Sequence, residues 1–339
     1  MFQVFSWRLS VMCLAILGMA TIIGAMLSPV VYAQRAITAN PQGMGTIHEY
    51  PIPTYNSVPQ YIALGPDGAL WFTEWGGNKI GRITTIGSLS DFPIPTPGAS
   101  PEVIVQAHGA LWFTETGANK IGRITPAGSI TEFPLPTSSI SPYGITEGPD
   151  GALWFTEALS NQIGRITPAG HVTQFPIPTP GSTPWDITQG PDGALWFTEL
   201  DTHANKIGRI TPTGHITEFP IPTRSSGPYS IARGPDDALW FAEVGTDKIG
   251  RITPAGHITE FRVPDGTGPS YITQGPDGVL WFTGFDSNSI GRMTLKGHYR
   301  EFSLPTPKSG PLGIAQGPDQ HLWFTEVQGN KIGRISAGR

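Results

Sequence analysis

Residues 148–179 read GPDGALWFTEALSNQIGRITPAGHVTQFPIPT, and close variants of this text recur along the whole chain. Its tryptophan returns at Trp71, Trp112, Trp154, Trp196, Trp240, Trp281 and Trp323, at separations of 41, 42, 42, 44, 41 and 42 residues. Repeats of about 40 residues build either helical solenoids or four-stranded propeller blades. Each unit places prolines and glycines inside every stretch a helix would need, and an interior proline costs a helix about 3 kcal/mol. Four short strands fit instead. The first opens after a proline, as in Tyr143 to Glu147, and ends at the GPDG turn. ALWFTE forms the second, KIGRIT the third and HITEFPIP the fourth. Strands two and three are apolar runs, as suits a sheet covered on both faces. The fourth alternates polar and apolar, as an outer edge does. The expected fold is all-β: a seven-bladed β-propeller of four-stranded antiparallel blades.

The chain ends indicate how the ring closes. The last repeat stops after its third strand, at residues 333–336, while residues 45–53 read as a fourth strand with no blade of their own. The N-terminal strand is expected to complete the last blade and remove two open edges. An open solenoid would end in polar capping repeats instead.

Gly 43 and Pro 34 make up nearly a quarter of the 339 residues, a composition that means disorder unless a period organises it. The net charge is -5 and no Lys/Arg cluster exists, so nothing draws the chain to nucleic acid. Residues 1–33 differ from the rest: Arg8, an apolar run from Leu9 to Leu27, then Val31-Tyr32-Ala33 before Gln34. This reads as an export signal with a small-residue cleavage site. The alternative is an uncleaved anchor, since about 19 apolar residues nearly span a bilayer. Residues 34–339 are then the propeller, secreted or held in the cell envelope and expected to be monomeric. If the signal is cleaved, no membrane contact is expected. Cys13 lies in the apolar run, so disulfides do not stabilise the mature chain.

The unit GPDGALWFTExxxNKIGRIT with its fourth strand ITEFPIPT closely resembles the streptogramin B lyase (virginiamycin B lyase) family, over residues 45–339. The resemblance implies a seven-bladed propeller closed by its N-terminal strand. It also implies a lyase that linearises cyclic depsipeptides by β-elimination with bound Mg²⁺. In that family the catalytic histidines follow the proline of the innermost strand in the last two blades. The matching positions here are Ser270 and Leu312, and Gly310 stands where the family has a metal-binding glutamate. The residues after the seven opening prolines are Gln60, Glu102, Tyr143, Trp185, Tyr229, Ser270 and Leu312, and none is histidine. The expected protein is therefore a propeller without the family's catalytic pair. It would bind a small molecule or cyclic peptide at its axial face. The alternatives are a working carbon–oxygen lyase with substitute residues and an envelope scaffold or protein-binding propeller.

These seven positions are the most varied of the repeat, whereas the flanking Pro and Ile repeat faithfully; they are the candidate ligand-binding residues. Tyr143, Trp185 and Tyr229 form either an aromatic platform or a packed plug. The WFTE glutamates Glu74, Glu115, Glu157, Glu199, Glu243 and Glu326 read as partners of the lysines across the hairpin, because Gly284 and Ser289 replace both together. Glu157 faces Gln162 and is then the spare carboxylate. Glu157, Asp186, Glu199 and Asp201 are the candidate metal ligands, with Mg²⁺ implied by the resemblance. His203, in a two-residue insertion after Glu199, is the candidate catalytic base; the alternative is a solvated loop. His171, His215, His257 and His298 share one position and read as surface residues. The recurring arginines and turn aspartates read as structural.

Overall fold

The computed structural model describes residues 43–136 and 140–338. Among these residues, strands form seven four-stranded antiparallel sheets arranged as a β-propeller, with no helix. Blades one to seven begin with the innermost strands Pro59–Leu64, Pro101–Ala107, Pro142–Glu147, Pro184–Gln189, Pro228–Arg233, Pro269–Gln274 and Pro311–Gln316. In blade seven the outermost strand is Ile47–Pro51, paired with Lys331–Ser336 so that Ile47 faces Ile335 and Pro51 faces Lys331. The ring is thus closed by pairing between the two ends of the described chain. Residues 1–33, and Cys13 with them, lie outside the described residues. Among the described residues no helix is long and apolar enough to cross a membrane.

The repeated letters form one clamp per blade, shown here for blade four. Trp196 Nε1 donates to Asp192 Oδ1 at 3.0 Å, and Arg209 Nε donates to Asp192 Oδ2 at 2.7 Å. The guanidinium lies 5.9 Å from the Trp196 ring centre, and Phe219 stacks on that ring at 5.5 Å. Gly208 is required because a Cβ there would overlap the buried Phe197 ring. A buried indole N–H needs an acceptor, and the turn aspartate supplies it. In blade two His108 replaces the aspartate, and Trp112 Nε1 is left without a partner.

Two further repeats join neighbouring blades. Thr198 Oγ1 donates to the Tyr229 carbonyl of the next blade at 2.9 Å. Asn205 takes a left-handed φ of 47°, which asparagine tolerates, and its side-chain oxygen accepts from Ser226 N at 2.8 Å. Each opening proline is followed by a register shift that ends at the repeated isoleucine. Pro184 pairs with Glu199, so the start of the innermost strand and the end of the second share one face of the ring. We call it the proline face; the GPDG turns form the opposite, aspartate face.

Candidate functional site

The seven post-proline residues are all buried at the ring centre, Trp185 being the most exposed at 9%. Their aromatics pack on one another. The Trp185 ring centre lies 3.6 Å from that of Tyr143 and 5.3 Å from that of Tyr229. Tyr229 meets Tyr271 edge-on at 5.4 Å, and Tyr271 meets Tyr61 at 5.1 Å. Five rings therefore pack on one another near the axis. Burial pushes the Glu102 carboxyl up to about 8, against a hydrogen bond from Tyr143. Trp185 Nε1 finds no acceptor.

Tyr61 and Tyr271 were not among the expected site residues. Both sit two places after their prolines, where the chain reads Tyr61, Val103, Gly144, Asp186, Ser230, Tyr271 and Gly313. This position varies as freely as its predecessor, and that variation was the available signal. Asp186 also sits here. Its Oδ1 accepts from Ile187 N at 2.9 Å and its Oδ2 from Ile231 N of the next blade at 3.0 Å. Burial pushes its carboxyl up to about 7 against those two bonds. Ser230 makes the equivalent bridge to Ile272 N at 3.0 Å.

The glutamate–lysine pairing is corrected. Glu74 stands opposite Lys79 in the hairpin, but the ammonium leans across Gly81 to Asp91 on the fourth strand at 2.7 Å. Lys206 likewise reaches Glu218 at 3.0 Å, and Lys331 reaches Glu49 at 2.6 Å. The cause is hydration. The WFTE carboxyls are fully buried, whereas the fourth-strand acids border solvent, where an ammonium keeps part of its water. Burial, with the adjacent Glu132, Glu218 and Glu260, pushes Glu115, Glu199 and Glu243 up to about 8.

Glu157 is corrected with them. Lys becomes Gln162 in blade three and the fourth-strand acid becomes Gln174, whose Nε2 donates to both Glu157 oxygens at 2.9 Å. Ser160 Oγ adds a third bond at 2.7 Å. Glu157 is thus well partnered rather than spare. Among the described residues no group of three or more His, Cys, Asp or Glu is gathered to hold a metal ion. Glu157, Asp186, Glu199 and Asp201 are not brought together, and they do not fit a Mg²⁺ site. His203 stands in solvent, its side chain 92% exposed, with Nδ1 at 3.0 Å from Asp201 Oδ1. This is the solvated loop.

The Virginiamycin B lyase family model matches residues 33–203 and 187–339. The chain belongs to this family. Virginiamycin B lyase from Staphylococcus aureus is 44% identical over 86% of this chain and 99% of that one, with a TM-score of 0.82. A catalytically inactive histidine-to-alanine variant of that lyase, crystallised with quinupristin, is 43% identical over the same 86% and 99%, at a TM-score of 0.81. The curated virginiamycin B lyase of Bordetella parapertussis is 41% identical over 56 residues, only 19% of its length and 16% of this chain.

Proposed function

We propose that this member of the virginiamycin B lyase family binds a cyclic depsipeptide on its proline face without opening it. The observation that carries this reading is the absence of histidine at every post-proline position. Elimination beside a carbonyl needs a base within reach of the α-proton. Leu312 offers none, and the buried Ser270 hydroxyl is donated to the Gly268 carbonyl at 3.1 Å. Glu102 is held by Tyr143 inside the plug. The residues present do not fit Mg²⁺, so no step passes through it.

Binding itself is supported by what remains. Tyr143, Trp185 and Tyr229 pack together beside the opening prolines, and aromatic side chains of this kind dominate binding hot spots. The Staphylococcus aureus relative carries quinupristin in a catalytically inactive form, so loss of turnover and retention of ligand are compatible on this fold. The export signal read at residues 1–33 would place this binding outside the cytoplasm, by a monomeric ring. Calorimetric titration with quinupristin tests the reading: saturable binding is expected, weakened at least tenfold by Trp185→Ala. Absence of binding, or equal affinity in the variant, overturns it.

A further inference from the structure

The axis also opens on the aspartate face, where a cavity of about 360 Å³ runs inward between the innermost strands. Its mouth carries neutral polar groups, Gln106, Thr146, Thr188, Thr273 and Gln316. Its lining includes Tyr61 and Asp186, and Asp186 is the sole Asp, Glu, Lys, Arg or His among the lining residues. Among the described residues, no basic group figures among the causes that shift Asp186 or Tyr61. A buried carboxylate without a counter-cation is costly. Its two backbone bonds leave acceptor capacity on both oxygens. Tyr61 and Tyr271 lie close enough for the Asp186 charge to oppose their ionisation, and their rings meet edge-on at 5.1 Å. Aromatic faces joined to one uncompensated carboxylate at the end of a cavity are the elements that recognise quaternary ammonium groups.

We propose that the inner end of this cavity binds a small organic cation of the quaternary ammonium class, seated between the Asp186 carboxylate and the ring of Tyr61, which Tyr271 supports edge-on. The site is entered from the face opposite the proposed depsipeptide site and does not depend on that reading. The cation supplies the charge that the fold withholds from Asp186. Glu102, Tyr143 and Tyr229 are near neighbours of Tyr271, and none of them carries positive charge.

The test is calorimetric titration of the mature chain with tetramethylammonium and, separately, with tert-butanol, an uncharged molecule of similar size. Tetramethylammonium should bind at one site, and tert-butanol at least tenfold more weakly. Affinity for the cation should rise roughly tenfold between about pH 6 and about pH 8.5 as Asp186 ionises. Asp186→Asn should lose at least tenfold and flatten that pH dependence, and Tyr61→Leu should weaken binding while leaving the pH dependence in place. Equal binding of the two molecules by the unmodified protein, or no saturable binding of the cation, overturns the proposal whether or not the variants fold. So does cation binding that survives Asp186→Asn.

Discussion

The outer three strands of each blade and the first turn of the innermost strand obey opposite rules. In the outer strands the same contact recurs around the ring: indole to aspartate, aspartate to arginine, phenylalanine over glycine. At the inner strand the two residues after each proline vary around the ring, yet apart from the partly buried Tyr61 they are buried as the scaffold is. Burial therefore does not separate scaffold from site in this molecule; repetition does. The indole–aspartate contact is kept in six of the seven blades, whereas a surface facing the axis meets whatever occupies the axis and meets it once.

The largest effect should come from removing the strand that closes the scaffold. Deleting residues 34–54 leaves Lys331–Ser336 as an unpaired edge and strips Lys331 of Glu49. Loss of cooperative melting is expected; a deletion variant that melts like the mature chain would break the comparison at its scaffold side. Next comes the clamp. Trp196→Ala should cost about 3–5 kcal/mol, measured by denaturant unfolding, because it removes a fully buried indole and leaves Asp192 and Arg209 beside a void.

A smaller effect separates the blades by their buried carboxyls. An acid whose folded pKa is raised holds its proton more tightly in the folded chain. Its stabilisation is therefore full below the ordinary value of 4.5 and is lost as pH climbs through about 7 to 8. Glu74, Glu115, Glu199, Glu243 and Glu326 all act in this direction, chiefly through burial. Asp67, Asp150, Asp192 and Asp236 act oppositely. Burial alone would raise them, but bonds from tryptophan and arginine bring them below 3.8, and their contribution is lost only in acid. The melting temperature should thus fall from about pH 5 to about pH 8 and level off above that. Glu115→Gln, which imitates the protonated acid and the Gln174 solution of blade three, should make that decline shallower. A decline unchanged in Glu115→Gln would show that this carboxyl is not neutral in the folded protein. The smallest effect belongs to His203→Ala, expected within about 0.5 kcal/mol of the parent in unfolding and indistinguishable in quinupristin binding.

The blades and the closing strand are legible in the repeat, because tryptophan spacing and an orphan fourth strand are carried by the sequence itself. The glutamate–lysine pairing was misread for a definite reason. Antiparallel register places Lys79 opposite Glu74, but it does not say which carboxylate keeps its water, and that choice sends the ammonium to Asp91. Blade three held the clue, since Gln162 and Gln174 change together. On the axis, the post-proline positions were found by their variability. Tyr61 and Tyr271 stand at the second place after the proline, which the sequence reading weighed only at Asp186. The backbone-bridging role of Asp186 depends on the approach of the neighbouring blade and has no signature in its own strand.

The most direct test of the account is to incubate the mature protein with quinupristin and Mg²⁺, then follow the antibiotic by liquid chromatography with mass detection. Elimination would leave its mass unchanged and shift its retention, whereas hydrolysis would add a water. The account expects quinupristin to be bound by the protein and recovered with both mass and retention unaltered. A product of the same mass at a new retention time, formed in proportion to the protein added, would contradict it.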